Sequence, residues 1–197
     1  SDLELTEEII STLVAGNAPI NSWGVGTHMV TGGNESSFTG VYKLAARHDA
    51  KSDSMIPAMK FSDNPAKTTN PGIKNVYRLF DENGMACADI LTLEDETIEV
   101  GKENKFYHPM VDYRQFNFTP AKIEPLLKKR LENGERLEKR LPDSEQLIIS
   151  RNTMQAQLET FDESYKRLLN PHIYKVSLSE NLKDLKKKFI EDNLALR

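Results

Sequence analysis

Ser22-Trp23-Gly24-Val25-Gly26-Thr27 is the stretch on which the reading of this chain turns. It closes a run from Pro19 to Val25 that reads as a short buried strand. Two alternating glycines at the end of such a strand let the backbone approach a ligand that side chains would hold off. The amides around Gly26 and Thr27 then face phosphate oxygens. The alternative is a tight turn packed under the Trp23 indole, because the spacing matches neither the Rossmann nor the Walker pattern. Toward the N-terminus, Leu5, Ile9, Ile10, Leu13 and Val14 recur at helical spacing. Thr6 is the expected N-cap, and Glu7 and Glu8 suit the positive end of the helix dipole. Gly16 ends the helix, since glycine adopts the left-handed conformation at little cost. Helix, strand and glycine turn form one α/β unit, 1–33, of the kind that builds parallel sheets and barrels.

Beyond this unit the periodicity changes. Between residues 34 and 118, Val41–Ala45, Met59–Phe61, Val76–Phe80 and Asp89–Leu93 are the expected short strands. Asn64-Pro65, Asn70-Pro71-Gly72 and Asn83-Gly84 separate them as turns, the last suited to a tight hairpin. This segment reads as an antiparallel sheet or small barrel. Residues 119–197 read as helical, with Leu126, Leu127, Arg130 and Leu131 opening the region and Pro142 interrupting it. A long helix from Ser144 to Leu169 is expected from Leu147, Met154, Leu158, Phe161, Tyr165 and Leu168. A last short helix carries Leu178, Leu182, Leu185 and Phe189, with Lys183, Lys186, Lys187 and Lys188 on its solvated face.

The bulk composition narrows the function. With 197 residues, 38% hydrophobic and 28% charged, the chain can bury a core and is not of a disordered type. A net charge of −4 argues against a dedicated nucleic-acid binder. No apolar run approaches a membrane span, so no membrane partner is expected. The one cysteine, Cys87, excludes an intrachain disulfide and a multi-thiolate metal site, and reads as a small core residue in a reducing, cytoplasmic setting. The chain opens on Ser1-Asp2-Leu3 without an initiator methionine, and it reads as cut from something larger.

Three sets of polar residues are candidates for chemistry. Asp2 either caps the first helix or accepts hydrogen bonds from a ribose diol, as an acidic residue beside a phosphate turn commonly does. Lys43, Lys60, Lys67, Lys74 and Arg78 form either a solvated sheet face or the cation set for a polyphosphate. The histidines His28, His48, His108 and His172 lie far apart in sequence and show no metal-ligand spacing. No nucleophile with an adjacent base is visible, so hydrolase readings have little support.

Taken together, these words resemble the nicotinate phosphoribosyltransferase family. Ser1-Asp2-Leu3, Ser22–Thr27 and Gly40-Val41-Tyr42-Lys43-Leu44 carry the resemblance first. The run from Met59-Lys60-Phe61 through Lys67-Thr68-Thr69-Asn70-Pro71-Gly72 to Tyr77-Arg78 carries it on. It is dense to about Leu93 and weakens afterwards to echoes at Tyr107-His108-Pro109 and Tyr165–Pro171. The resemblance implies a mixed α/β fold. Residues 1–33 are then the last helix–strand unit or units of an irregular α/β barrel, 34–118 a β-rich segment of a second domain, and 119–197 a helical C-terminal region. It implies an enzyme of NAD salvage that joins nicotinate to phosphoribosyl pyrophosphate, with coupled ATP hydrolysis and Mg2+, in a cytoplasmic homodimer. Asp2 would hold the ribose; Gly24, Gly26 and Thr27 would cradle the 5′-phosphate; Lys43, Lys60 and Lys67 would reach phosphates across the dimer. The family's phosphorylatable histidine and its nicotinate-binding residues are expected upstream of Ser1, so this chain alone is expected not to turn over. The competing readings are a non-catalytic or regulatory phosphate-binding module and a nucleic-acid-binding β-barrel.

Overall fold

The computed structural model describes residues 5–32, 36–37, 40–64 and 67–195. The chain divides into two compact units: Ser1–Tyr42 with Lys166–His172, and Lys43–Tyr165 with Ile173–Arg197.

In the first unit, α1 spans Glu7–Ala15. Thr6 caps it as expected, its hydroxyl accepting from the Ile9 amide at 3.4 Å, with Glu7 and Glu8 in the first turn. Gly16 does terminate the helix, but at φ −78°. The left-handed residue is Asn17, at φ 52°, because a short amide side chain also tolerates that region. The expected strand at Pro19–Val25 is absent. Those residues make no ladder among the described residues, and without a neighbouring strand to bond, the extended run stays irregular. A single turn and a half, α2 (Thr27–Thr31), follows Gly26 and ends at Gly32 with φ 68°.

The second unit is organised by a sheet. A separate hairpin comes first, β1 (Ala46–Asp49) with β2 (Ser54–Pro57). The sequence pattern placed strands on either side of it, at Val41–Ala45 and Met59–Phe61, and neither forms. Turn chemistry decides the ladder: Asp49 accepts from the Ser52 hydroxyl at 2.7 Å and closes the loop between β1 and β2.

The main sheet has six strands: β3 (Lys74–Phe80), β4 (Ala86–Leu93), β5 (Asn104–Tyr107), β6 (Gln115–Phe118), β7 (Lys122–Pro125) and β10 (Val176–Leu178). Its order is β6-β5-β10-β4-β3-β7, and only the β10–β4 pair is parallel. The β3–β4 hairpin expected around Asn83-Gly84 is present. Gly84 takes φ 77°, and the Asp81 carboxylate accepts from the Asn83 and Met85 amides at 2.9 and 2.8 Å. Along β4 burial alternates strictly, with Ala86, Ala88, Ile90 and Thr92 buried and Cys87, Asp89, Leu91 and Leu93 half-buried. Leu79, Ala88, Ile90 and Phe106 form the core cluster, with Ile98, Phe116, Phe118 and Ile123 packed around it.

The stretch expected to open a helix at Leu126–Leu131 is irregular as far as Arg130 and then enters a small hairpin, β8 (Leu131–Glu132) with β9 (Glu135–Arg136). Asn133 and Gly134, at φ 49° and 84°, supply the paired left-handed conformations that a tight hairpin needs. The long helix is α3, Asp143–Glu159, and Pro142 precedes it rather than breaking it. It stops ten residues short of Leu169 because Phe161 and Tyr165 leave the helical stripe to join an aromatic group with Tyr174. No residue of α3 is buried.

The last helix, α4 (Glu180–Ala195), begins beyond Leu178, which belongs to β10. Ser179 caps it: its hydroxyl accepts from the Leu182 amide at 3.3 Å and donates to Glu96 at 2.6 Å. Leu182 is fully buried, and the helix lies on β4 and β5. Among the described residues no helix is long and apolar enough to cross a membrane.

Candidate functional site

The glycine turn lies in the first unit. Asp2, the proposed ribose ligand, falls outside the described residues. A Cβ built on Gly26 meets no heavy atom within 4 Å, Trp23 included. For Gly24 the same holds, its neighbours Trp23 and Val25 aside. Packing under the Trp23 indole therefore does not account for Gly26, and the space beside the turn is open. Thr27 begins α2 with an exposed side chain, and His28 pairs with Glu7 at 3.3 Å.

The five cations named from sequence belong to the second unit, where they separate into two kinds. Lys74 turns back on its own loop: its ammonium donates to the Asn70 carbonyl at 2.9 Å and closely to that of Gly72. Burial pushes its pKa down. Arg78 is bound bidentate to Asp89 at 2.8 and 2.9 Å, across directly paired positions of β3 and β4. Its guanidinium lies 4.8 Å from the centroid of Phe161 and 5.9 Å from that of Tyr174, whose hydroxyl donates to Asp89 at 3.1 Å. The hydrogen bond to Asp89 raises the Arg78 pKa further. Burial, then the Asp89 charge, raises the Tyr174 phenol well above its ordinary value. These two cations serve the fold.

Lys43, Lys60 and Lys67 differ. All three are exposed, and none makes an ion pair among the described residues. Neither Lys43 nor Lys60 lies in a strand. The Lys60 backbone is fixed by exchange with Thr69, its amide donating to the Thr69 hydroxyl at 2.9 Å and its carbonyl accepting from the Thr69 amide at 3.2 Å. The Lys67 amide donates to the Asn64 carbonyl at 2.9 Å. A loop with an anchored backbone thus presents free ammonium groups to solvent.

Local periodicity missed a second cationic surface. Lys183 and Lys186 of α4 do not lie on a fully solvated face: they donate to the carbonyls of Asp112 and Pro109, each at 3.0 Å. Lys183 also sits 4.3 Å from the Tyr107 ring centroid, and burial lowers the Lys186 pKa. His108 lies beside them with Nδ1 accepting from the Met110 and Val111 amides, both at 3.1 Å, which leaves the proton on Nε2. These residues border a cavity of about 460 Å³ whose floor includes Phe61, Leu178 and Ile190. The hint in the sequence was the lysine spacing, since a long stem lies along apolar surface while its head finds a polar partner. Among the described residues, no cluster of three or more His, Cys, Asp or Glu side chains is placed to hold a metal ion.

The described residues are mixed α/β with a six-stranded sheet, and comparison with known proteins supplies the family. Residues 73–186 match the family model described as the nicotinate phosphoribosyltransferase C-terminal domain. The chain belongs to that family. It is 34% identical to human nicotinate phosphoribosyltransferase over 182 residues, which is 92% of this chain and 32% of the relative. With the Bacillus subtilis enzyme of the same name the identity is 33% over 187 residues, 90% of this chain and 35% of the relative. The crystal structure of human nicotinic acid phosphoribosyltransferase superposes with a TM-score of 0.55 at 31% identity, covering 62% of this chain and 24% of that one. The chain spans about a third of the length of the curated relatives it matches.

Proposed function

We propose that this chain is the phosphate- and ribose-holding part of a nicotinate phosphoribosyltransferase, acting in NAD salvage in the cytoplasm. In this reading residues 1–33 are the C-terminal part of an α/β barrel, 34–118 a β-rich segment and 119–197 the C-terminal region. The reaction joins nicotinate to phosphoribosyl pyrophosphate, releases pyrophosphate and is coupled to ATP hydrolysis. The observation that carries the proposal is the family match over residues 73–186.

Displacement at the anomeric carbon builds positive charge on the ribose as pyrophosphate departs, so the protein holds both phosphate ends and screens the leaving charge. Gly24, Gly26 and Thr27 present backbone amides to the 5′-phosphate, and the open space beside Gly26 supports that role. Asp2 takes the ribose diol. Lys43, Lys60 and Lys67, exposed and without ion-pair partners among the described residues, reach the phosphates of the second subunit in a homodimer. Mg2+ would share with these lysines in screening the leaving charge.

Mixing subunits tests this reading in the protein at its natural full length. A Lys60→Ala subunit and a Gly26→Val subunit are each impaired as homodimers. Mixed, they form heterodimers in which one of the two shared sites carries neither change, and turnover of nicotinate returns. Absence of recovery at every mixing ratio removes the shared-site arrangement.

A further inference from the structure

The loop that carries Lys60 and Lys67 has a second side. The residue after each lysine, Phe61 and Thr68, is half-buried and borders the cavity of about 460 Å³ beside α4. Helix α4 supplies Lys183, Lys186 and Ile190 to the same cavity, and Leu178 of β10 contributes to its floor. All of these residues belong to the second compact unit. The volume is that of a small-molecule site, and no step of the proposed reaction uses it.

The charges around the cavity are sorted by depth. Its acidic residues, Asp63, Asp112 and Glu191, are exposed, and Glu191 lies 3.8 Å from the Lys187 ammonium. Lys183 and Lys186 are half-buried. Each ammonium donates to one carbonyl, of Asp112 and Pro109 respectively, which fixes its place and leaves donors unused among the described residues. His108 adds an Nε2–H with no partner among the described residues. Burial lowers the Lys186 pKa, and an anion set against that ammonium offsets the burial. Phe61, Leu178 and Ile190 offer apolar surface beside these donors, so the match is to a molecule with an apolar body and an anionic end.

We propose that this cavity binds a small organic anion, a phosphate ester or carboxylate on an apolar body, held by Lys183, Lys186 and His108 and packed against Phe61. An occupant packed against Phe61 and Thr68 also steadies the loop. The Lys60 amide is bonded to the Thr69 hydroxyl and the Lys67 amide to the Asn64 carbonyl, so opening of the loop competes with binding. This site is independent of the role assigned above to Lys60 and Lys67.

The test titrates the protein at its natural full length with hexyl phosphate, hexanoate, hexanol and inorganic phosphate by calorimetry. Hexyl phosphate or hexanoate is expected to bind with a Kd below about 1 mM, and hexanol and inorganic phosphate at least about tenfold more weakly. The tighter of the two organic anions identifies the headgroup. Lys186→Met, which keeps the stem, and Ile190→Trp, which fills the space, each weaken that anion about tenfold, and Lys186→Arg recovers part of the loss. Hydrogen exchange of the Lys60 and Lys67 amides slows about tenfold at about ten times Kd. No binding of either organic anion up to about 10 mM overturns the proposal. Hexanol binding as tightly as the anions overturns it too, because it marks an apolar groove alone. Binding that Lys186→Met and Ile190→Trp both leave unchanged places the anion elsewhere and also overturns it. Unaltered amide exchange with binding intact overturns the coupling to the loop.

Discussion

Arg78 and Asp89 face each other across β3 and β4 in a bidentate pair at 2.8 and 2.9 Å, each side chain 14% exposed and covered by Phe161 and Tyr174. The pair joins the central hairpin to a segment more than seventy residues further along the chain. Its strength comes from that enclosure, since an open pair of this kind contributes little.

Removing one partner strands the other charge in a poorly solvated place. Asp89→Leu and Arg78→Met are each expected to destabilise the protein by about 3 kcal/mol. The double variant Arg78→Met/Asp89→Leu should recover much of that loss. Chemical denaturation of the four proteins measures the coupling, and strictly additive losses would show that the pair is not cooperative.

Two glycines of this chain should respond in opposite ways to a side chain. Gly72 holds φ at 84°, and a Cβ there would come within 3.0 Å of Leu93 Cδ2. Gly72→Ala is therefore expected to cost about 1–3 kcal/mol. Gly26→Val enters open space and should change stability by less than about 1 kcal/mol while damaging phosphoribosyl pyrophosphate use. Paired melting curves and KM values separate the two, and a large stability loss in Gly26→Val would count against its assignment to ligand.

The Tyr107 hydroxyl donates to Glu180 at 2.7 Å, and that hydrogen bond, followed by burial, pushes the phenol up to about 12. A folded pKa above the unfolded value of about 10 means that the contribution is complete below pH 10. It is lost as pH rises from there toward about 12. Tyr107→Phe should therefore flatten the alkaline fall of stability in this window and leave its shape near neutrality unchanged. Urea midpoints measured from pH 8 to 12 test this, and an unaltered alkaline slope would rule it out.

Helix α3 presents Leu147, Ile148 and Ile149 to solvent, with Leu147 71% exposed. Three consecutive apolar residues point in different directions around a helix, so no single packing partner covers them all. The 197-residue chain expressed alone is expected to self-associate through this helix. Because it spans about a third of its relatives' length, it is also expected to show no phosphoribosyl transfer. Sedimentation of Leu147→Lys/Ile148→Lys should show a shift toward monomer. Measurable turnover by the isolated chain would contradict the division of labour proposed above.

The parts of the fold legible in sequence are those fixed by neighbours. The Thr6 cap, the β3–β4 hairpin at Asn83-Gly84 and the apolar stripe of α4 follow from residues within a few positions of one another. Asn133-Gly134 is an equally local turn signal, but the leucine spacing at 126–131 matches a helix beside it. What local pattern cannot carry is partnership over distance. Phe161 fits a helical stripe by spacing, yet its ring is needed over Arg78, 83 positions earlier, and the helix ends to release it. Lys186 reads as a solvated charge, yet its ammonium donates to the carbonyl of Pro109, 77 positions earlier. At the candidate site, Gly24, Gly26 and Thr27 drew notice through residue type, while the sorting of the five cations required the geometry of their surroundings.

The place of β10 in the sheet has a further consequence. In the order β6-β5-β10-β4-β3-β7, this three-residue strand is, among the described residues, the only bridge between the β5–β6 hairpin and the β4-β3-β7 half. Among the six strands of this sheet it is also the last in sequence. Until Leu178 emerges, a nascent chain holds two half-sheets with facing bare edges, and neither can bond the other in the native register. Closure then waits on a contact between residues about 87 apart, a slow step for a chain already able to aggregate through those edges. Synthesis of this sheet thus passes through a vulnerable interval that ends only as α4 begins to emerge. Substitutions in Val176–Leu178 should be felt as poor yield before they are felt as poor activity.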